Sequence, residues 1–162
     1  MTATTLEHYR FEAVFPKPAV EIAEQVIAFW LRERALPNEA AAQQRVAQLV
    51  YVIRAPDGEI AGVSTAYTGP VPNLGGTFYF YRMFIRRPDR VPGMMRRVTE
   101  MTFDTLRERT PAGGPEGVVV VAENRKLHRP AAERQLERAG WHKTGLDTRQ
   151  QPVWLRRFDA LN

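Results

Sequence analysis

The stretch that decides the fold covers residues 77–106 and reads TFYFYRMFIRRPDRVPGMMRRVTEMTFDTL. Its aromatic start, residues 77–85, predicts a strand, and the Pro/Gly/Arg segment 86–93 predicts a tight turn. From residue 94 to about residue 109 the pattern predicts a helix. A helix N-terminus presents unpaired backbone N–H groups and a partial positive charge. This arrangement therefore favours a phosphate or pyrophosphate ligand.

Two residues of the turn strengthen the prediction of an anion site. Gly93 has no Cβ, so the backbone at this position can approach a ligand closely. Arg90 lies three residues earlier and offers a charge-assisted hydrogen bond. The turn and the start of the helix are therefore the first candidate binding site.

Length and composition set the broad class of the protein. A chain of 162 residues predicts one domain with a real core. The absence of cysteine excludes disulfides, a thiolate nucleophile and Cys-ligated metals. The first ten residues lack the pattern of a signal peptide, and no apolar run is long enough to span a bilayer. These features predict a cytoplasmic protein that does not enter a membrane.

Charge and residue usage narrow the function classes. The chain has 23 basic and 18 acidic residues, a net charge of +5, which fits an anionic ligand and also fits nucleic acid. Its single serine, Ser64, does not lie in a Gly-x-Ser-x-Gly elbow, which argues against a serine hydrolase. The three histidines, His8, His128 and His142, lack metal-ligand spacing, which predicts no metal site.

The remaining segments alternate between strands and helices. Apolar alternation and turn residues predict strands at 8–15, 50–55, 59–67, 118–122, 141–148 and 152–158. Helical periodicity predicts helices at 19–36, 39–49 and 130–139. Residues 56–58 form a predicted hairpin turn, residues 68–76 a loop and residues 110–117 a linker. The order is strand, two helices, three strands, helix, strand, helix and two strands.

Some residues are assigned to the core or to close packing. In the first helix the spacing predicts an apolar face of Ala23, Val26, Ile27 and Trp30. In the helix after the turn it predicts an inward stripe of Met95, Val98, Thr102 and Leu106. Within the strand at 59–67, Gly62 marks a bulge or a close backbone approach.

Three pieces of this chain, in this order, resemble a known family. Residues 90–95, RVPGMM, resemble the pyrophosphate loop Arg/Gln-x-x-Gly-x-Gly/Ala of the GCN5-related N-acetyltransferases (GNAT), with Met95 at the sixth position. A strand, then Asn124, then a helix ending in Gly140-Trp141 resembles the second family signature. Residues 57–62 resemble the family's hairpin before the central strand.

The resemblance covers nearly the whole chain and implies a fold. It implies one α/β (α+β) GNAT-like acyltransferase domain over residues 1–162. The central sheet is expected to be mixed, with about six to seven strands, flanked by about four helices.

The resemblance also implies a co-substrate and the residues that hold it. Acetyl-CoA or another acyl-CoA is expected, with no metal. The backbone of the central strand would pair with pantetheine, the turn would hold the pyrophosphate, and Asn124 and an arginine beyond it would contact pantetheine and a phosphate. The implied cofactor-binding residues are Met83, Phe84, Ile85, Arg90, Val91, Gly93, Met94, Met95, Asn124 and Arg129, with Arg125 as an alternative to Arg129.

Catalytic roles are less directly implied, because this chain departs from the family pattern. Leu136 stands where many relatives carry the tyrosine that protonates the CoA thiolate, so His128 becomes the candidate acid. Tyr79 stands where relatives often place a carboxylate base. Tyr79 or Tyr81 would order a water molecule or stack on substrate, and Glu123 is the nearest carboxylate. His128 is also compatible with a plain surface position, and Tyr79 and Tyr81 are also compatible with packing in the core or at its rim.

The predicted function is transfer of an acyl group, acetyl first, to a small-molecule or peptide amine by direct attack in a ternary complex. One alternative is a non-catalytic member that binds CoA or a protein partner, which Leu136, Met95 and Pro92 favour. A second alternative is a nucleic-acid-binding module that uses the arginines of the turn and of the helix after it, although no readout motif supports it. These arginines are Arg86, Arg87, Arg90, Arg96 and Arg97. The strand near residues 152–158 offers an exposed edge for a possible homodimer.

Overall fold

The computed structural model describes residues 4–72, 74–123 and 125–159. These residues contain seven strands and four α-helices. The strands are β1 (Arg10–Ala13), β2 (Leu49–Arg54), β3 (Ile60–Gly69), β4 (Phe78–Ile85), β5 (Gly117–Val121), β6 (His142–Leu146) and β7 (Pro152–Arg157). The α-helices are α1 (Val20–Arg32), α2 (Glu39–Val46), α3 (Met94–Arg109) and α4 (Pro130–Arg138), and short 3₁₀ turns lie at Leu6–His8, Arg87–Asp89 and Arg125–His128.

The strands form one sheet in the order β1-β2-β3-β4-β5-β7-β6. β4 and β5 pair in parallel. The pairs β1–β2, β2–β3, β5–β7 and β6–β7 are antiparallel. The sheet is therefore mixed, and the predicted fold class, element order and number of helices are confirmed.

The described residues form two compact units. The first unit contains the chain up to Ala66 together with Arg82–Glu108. The second unit contains Tyr67–Tyr81 and the chain from Arg109 onward.

Helix α1 supplies much of the core of the first unit. Val26 and Trp30 are buried, and Ala23 and Ile27 pack against the same cluster, which confirms the predicted apolar face. The helix ends at Arg32, earlier than predicted. Arg34 adopts a left-handed conformation (φ 56°), which cannot continue an α-helix.

The inward stripe of α3 begins one residue earlier than predicted. Met94 is fully buried, whereas Met95 is 46% exposed, so the assignment of Met95 to the core is wrong. Val98, Thr102 and Leu106 are buried as predicted. Steps of four residues from Met94 keep these side chains on one face of a helix with 3.6 residues per turn, whereas Met95 lies about 100° away.

The single serine has a structural role in the first unit. Ser64 is fully buried on β3. Its Oγ accepts hydrogen bonds from the Thr102 hydroxyl (2.8 Å) and from the Tyr51 backbone N–H (3.2 Å). Buried polar groups need such partners, so this serine ties β2 and β3 to α3.

In the second unit, β7 is an inner strand. It pairs with β5 on one side and with β6 on the other. The prediction of an exposed edge at residues 152–158 is therefore wrong, because the hairpin of β6 and β7 places β7 beside β5. The edge strand of this unit is β6, all of whose residues are exposed.

Candidate functional site

The turn between β4 and α3 is fixed by a buried carboxylate. Asp89 ends the 3₁₀ turn and is only 5% exposed. Its Oδ1 accepts a hydrogen bond from the Tyr9 hydroxyl (2.7 Å), and its Oδ2 accepts one from Arg86 Nε (2.5 Å). The Arg86 backbone N–H also donates to the Ala61 carbonyl (2.8 Å). The start of the turn is therefore held by the N-terminal segment and by β3.

Tyr9, Arg86 and Asp89 form a cluster in which burial and hydrogen bonds shift the pKa values of Tyr9 and Arg86. Burial, with the hydrogen bond to Asp89 as the next cause, raises the pKa of Tyr9 to about 12. The hydrogen bond from Arg86 to Asp89 raises the pKa of the Arg86 guanidinium above its usual value. The three groups thus keep a neutral phenol, a carboxylate and a guanidinium together. The sequence analysis missed this cluster, since Tyr9 and Asp89 lie 80 positions apart.

Arg90 stabilises the base of the turn. Its Nε donates to the carbonyl of Ile85, the last residue of β4, over 2.9 Å. Val91 follows, and its carbonyl accepts from the Met94 N–H (3.0 Å). The backbone of the turn is therefore closed on itself directly before the helix.

Gly93 is the residue that turns the chain into α3. Its φ is +82°, a conformation that L-residues with a side chain rarely adopt. The first helical hydrogen bond runs from the Arg97 N–H to the Gly93 carbonyl (2.9 Å). The N–H groups of Met95 and Arg96 precede that bond, so they have no helical carbonyl four residues earlier. These two donors and the helix dipole fit a pyrophosphate.

Strand β4 lies very close to β3 beside this turn. A Cβ at Gly62 would overlap Ile85 Cδ1 and come within 2.8 Å of the Phe84 carbonyl oxygen. The predicted close approach at Gly62 is therefore confirmed. It brings the predicted pantetheine-pairing stretch, which also includes Met83, next to β3.

A small open cleft lies on the first unit. Its lining residues come from α1, α2, β3 and β4, and they are Trp30, Arg45, Val63, Thr65, Arg82, Met83 and Phe84. Phe84 also packs edge-to-face on Phe29, with 5.8 Å between the ring centroids. The lining of the cleft thus combines aromatic side chains with two arginines. Two of its residues, Met83 and Phe84, belong to the predicted pantetheine-pairing stretch.

The two candidate tyrosines of β4 belong to the second unit and are buried. Tyr79 is 7% exposed and Tyr81 is 8% exposed. The Tyr79 hydroxyl shares a hydrogen bond with the Thr110 hydroxyl (2.9 Å). Its ring packs edge-to-face on Phe158 at 6.1 Å. Tyr79 is therefore anchored by its surroundings at both its ring and its hydroxyl.

The other predicted residues of this unit follow β5. Glu123 is exposed. His128 Nε2 lies 2.7 Å from the Ala122 carbonyl oxygen, so the tautomer protonated at Nε2 donates this bond. Arg129 is exposed and occupies the N-cap position of α4. Asn124 lies outside the described residues.

The four predicted catalytic residues do not form one cluster. Tyr79 pairs with Val118 at the start of β5, whereas Glu123 follows the end of that strand. The three steps from Val118 to Val121, where the strand ends, cover about 10 Å. Glu123 and His128 are neighbours, since His128 binds the residue before Glu123, but Tyr79 is remote from both.

Two features are absent from the part of the chain that the structure describes. It contains no group of three or more His, Asp or Glu residues that could hold a metal ion. None of its helices is both long and apolar enough to cross a membrane.

Comparison with known proteins identifies the fold. No family model matches the chain. No curated protein matches it either. Solved structures do match: a ribosomal-protein-S5-alanine acetyltransferase from Vibrio fischeri has a TM-score of 0.64 at 13% identity, over 100% of both chains.

Two further structures agree with this result. A GNAT-family acetyltransferase from Streptococcus pneumoniae has a TM-score of 0.59 at 11% identity, over 92% of this chain and 99% of that chain. Arabidopsis thaliana NAA60 in complex with acetyl-CoA has a TM-score of 0.59 at 14% identity, over 94% and 99%. The chain therefore has the fold of the GNAT-family acetyltransferases.

Proposed function

We propose that this protein transfers an acyl group, acetyl first, from acyl-CoA to an amine by direct attack in a ternary complex. The observation that carries the proposal is the N-terminus of α3. There the left-handed Gly93 leads into α3, and the N–H groups of Met95 and Arg96 precede the first helical hydrogen bond. A pyrophosphate is the group that such a site binds well. The arginine-rich first turn, with Arg96 and Arg97 exposed, adds positive charge.

The structural neighbours support the choice of co-substrate and acceptor class. One of them was solved with acetyl-CoA. Another is named for acetylation of an alanine of a ribosomal protein. For this chain the corresponding proposal is acetyl-CoA as co-substrate and a small-molecule or peptide amine as acceptor.

The reaction needs no covalent enzyme intermediate. The amine nitrogen attacks the thioester carbonyl carbon, a C–N bond forms, the C–S bond breaks and CoA leaves as the thiolate. The amine loses a proton and the thiolate gains one. Backbone N–H groups of the stretch Met83, Phe84 and Ile85 would bind the thioester oxygen as charge develops on it. Orientation of the amine beside the thioester supplies much of the remaining acceleration.

Proton transfer is proposed for residues on and after the strands β4 and β5. Glu123 is exposed and is proposed to accept the amine proton directly or through water. His128, which contacts the residue before Glu123, is proposed to return a proton to the thiolate. Tyr81 is proposed to order water. Tyr79 takes that role only if its hydroxyl leaves Thr110.

The pyrophosphate site is tested by calorimetric titration with acetyl-CoA. We expect binding in the micromolar range by the wild-type chain and no detectable binding by Gly93→Trp. A side chain at this left-handed position strains the turn that carries the Met95 and Arg96 N–H groups, and its Cβ lies 3.6 Å from the Leu6 side chain. Gly113→Trp is the matched control, since Gly113 also has a left-handed φ (+84°) and, in the part of the chain that the structure describes, only its chain neighbours lie within 4 Å of its Cβ position. Far-UV circular dichroism checks that both variants fold.

The outcomes of this titration separate the hypotheses. Equal binding by the Gly93 variant and the wild type would contradict the placement of the pyrophosphate. No binding by the folded wild type would contradict the acyl-CoA function altogether.

A CoA-binding protein without catalysis is the second candidate. It is favoured by Leu136 at the usual position of the acid and by the engagement of Tyr79 and His128 with protein partners. Acetyl-CoA binding without thiol release, across a panel of primary amines, would support it over the transferase. Pairing of two copies of the chain stays a prediction, and its edge in the second unit would be β6.

A further inference from the structure

We propose that the acceptor amine carries a negatively charged group, a carboxylate or a phosphate, which Arg45 and Arg82 bind in the cleft of the first unit. The inference rests on the proposed acyl transfer and names the class of acceptor. It is independent of the pyrophosphate site, because neither arginine belongs to the turn before α3.

The charged residues that line the cleft are all positive. Of its seven described lining residues, two are arginines and none is an aspartate or a glutamate. Arg45 lies in the last turn of α2 and is half-buried, whereas Arg82 lies on β4 and is exposed. The two cations therefore reach the cleft from different elements, so the fold itself brings them together.

Guanidinium groups recognise carboxylates and phosphates with paired, charge-assisted hydrogen bonds. Each of these arginines also makes a contact within the protein. A guanidinium has five N–H donors, so it can serve an internal partner and a ligand at the same time. Thr65, which is also in the lining, adds a hydroxyl that can donate to the same anion.

The rest of the cleft suits the body of an amine rather than a bare ion. Trp30, Val63, Met83 and Phe84 supply apolar surface. Met83 and Phe84 also belong to the stretch of β4 proposed to hold the thioester, so a ligand in this cleft lies beside the reacting carbonyl. An anion held by the arginines would leave the amine end of the ligand directed along β4.

The test compares matched amines as acceptors. Thiol release from acetyl-CoA is followed with β-alanine and propylamine, and with O-phosphoethanolamine and ethanolamine. We expect kcat/KM to be at least about tenfold higher for the charged member of a pair, as for a hydrogen bond to a charged group. Preference for β-alanine over O-phosphoethanolamine, or the reverse, identifies the anion.

Variants assign the effect to the cleft. Arg45→Gln and Arg82→Gln remove charge but keep a hydrogen-bonding side chain, and each is expected to reduce the preference to less than about threefold. Arg107→Gln is the control, since this exposed arginine pairs with Asp104 outside the cleft, and it should keep the full preference. Turnover without a charge preference, or a preference unchanged in both cleft variants, would overturn the inference while leaving acyl transfer intact.

A binding measurement without CoA tests the anion site separately from the proposed acyl transfer. The indole N–H resonance of Trp30, assigned with Trp30→Phe, is followed during titration with O-phosphoethanolamine and β-alanine in the absence of CoA. A saturable shift that is lost in Arg45→Gln supports the anion site even if acetyl-CoA does not bind. Absence of a shift with both amines, together with turnover of uncharged amines, would contradict it.

Discussion

Asp89 is the residue on which the shape of the turn before α3 depends. Its carboxylate is buried, and burial of a charge is costly unless hydrogen bonds compensate. Tyr9 and Arg86 supply those bonds from the N-terminal segment and from the start of the turn. A change at any of the three residues therefore acts on the proposed pyrophosphate site without touching the ligand.

Removal of the Tyr9 hydroxyl is expected to destabilise the fold. Tyr9→Phe deprives a buried carboxylate of a donor, so we expect a loss of about 1–3 kcal/mol in the free energy of unfolding. Tyr51→Phe is the matched control, because the Tyr51 hydroxyl bonds a neutral partner, Thr105, and its loss should cost about 1 kcal/mol. Urea unfolding measures both. A smaller effect at Tyr9 than at Tyr51 would contradict the role given to Asp89.

Burial of Tyr9, together with its hydrogen bond to Asp89, predicts that the stability of the fold depends on pH in the alkaline range. The pKa of Tyr9 is raised from 10.0 to about 12 in the folded state. Between these values the unfolded chain loses the phenolic proton and the folded chain keeps it, so stability falls as pH rises. The contribution is complete below pH 10 and is lost by about pH 12. The stability difference between wild type and Tyr9→Phe should therefore shrink across this window, and a constant difference would argue against it.

Among the elements, β3 and β4 are packed so closely that only glycine fits at position 62. Gly62→Ala places a methyl group against Ile85 and the Phe84 carbonyl, and backbone cannot move aside cheaply. We expect a loss of about 1–3 kcal/mol in stability, as for other overpacked sites. Gly75→Ala is the control, since none of the described atoms beyond its chain neighbours lies within 4 Å of its Cβ position, and its effect should stay within about 0.5 kcal/mol. Equal melting curves for the two variants would contradict the close approach.

Most helices and strands could be predicted from the sequence, because their ends and faces depend on residues that are close together in the chain. Gly93, Gly140 and the Pro-Gly turns mark the ends of elements, and apolar periodicity marks their faces. The sequence could not decide whether Met94 or Met95 begins the buried stripe of α3, since both positions fit the helical period. The inner position of β7 was missed because pairing order within a sheet depends on contacts that sequence spacing does not encode.

The candidate site was harder to predict than the helices and strands, because it depends on contacts between segments that are far apart in the sequence. Gly93 and Arg90 belong to one continuous turn, so their proximity follows from the chain. The Tyr9–Asp89 bond and the grouping of Arg45 with Arg82 join segments far apart in sequence. Single residues such as these carry no periodic pattern that could have identified them.

For the whole molecule, the net charge of +5 makes ligand binding sensitive to salt. We expect acetyl-CoA binding to weaken several-fold between 50 and 500 mM NaCl, because exposed charges are screened. A 20-base-pair DNA duplex serves as the comparison, and it should show no binding at 150 mM salt. Tight duplex binding with a steep salt slope would favour the nucleic-acid alternative.

Binding of the pyrophosphate at the start of α3 is tested most directly by a ¹H–¹⁵N NMR titration with acetyl-CoA. We expect saturable shifts of the Met95 and Arg96 amides, the donors that precede the first hydrogen bond of α3. The amides of Ala112 and Gly113 in the linker before β5 serve as internal controls and should stay in place. Saturable binding that leaves Met95 and Arg96 unshifted, or no binding by the folded chain, would contradict it.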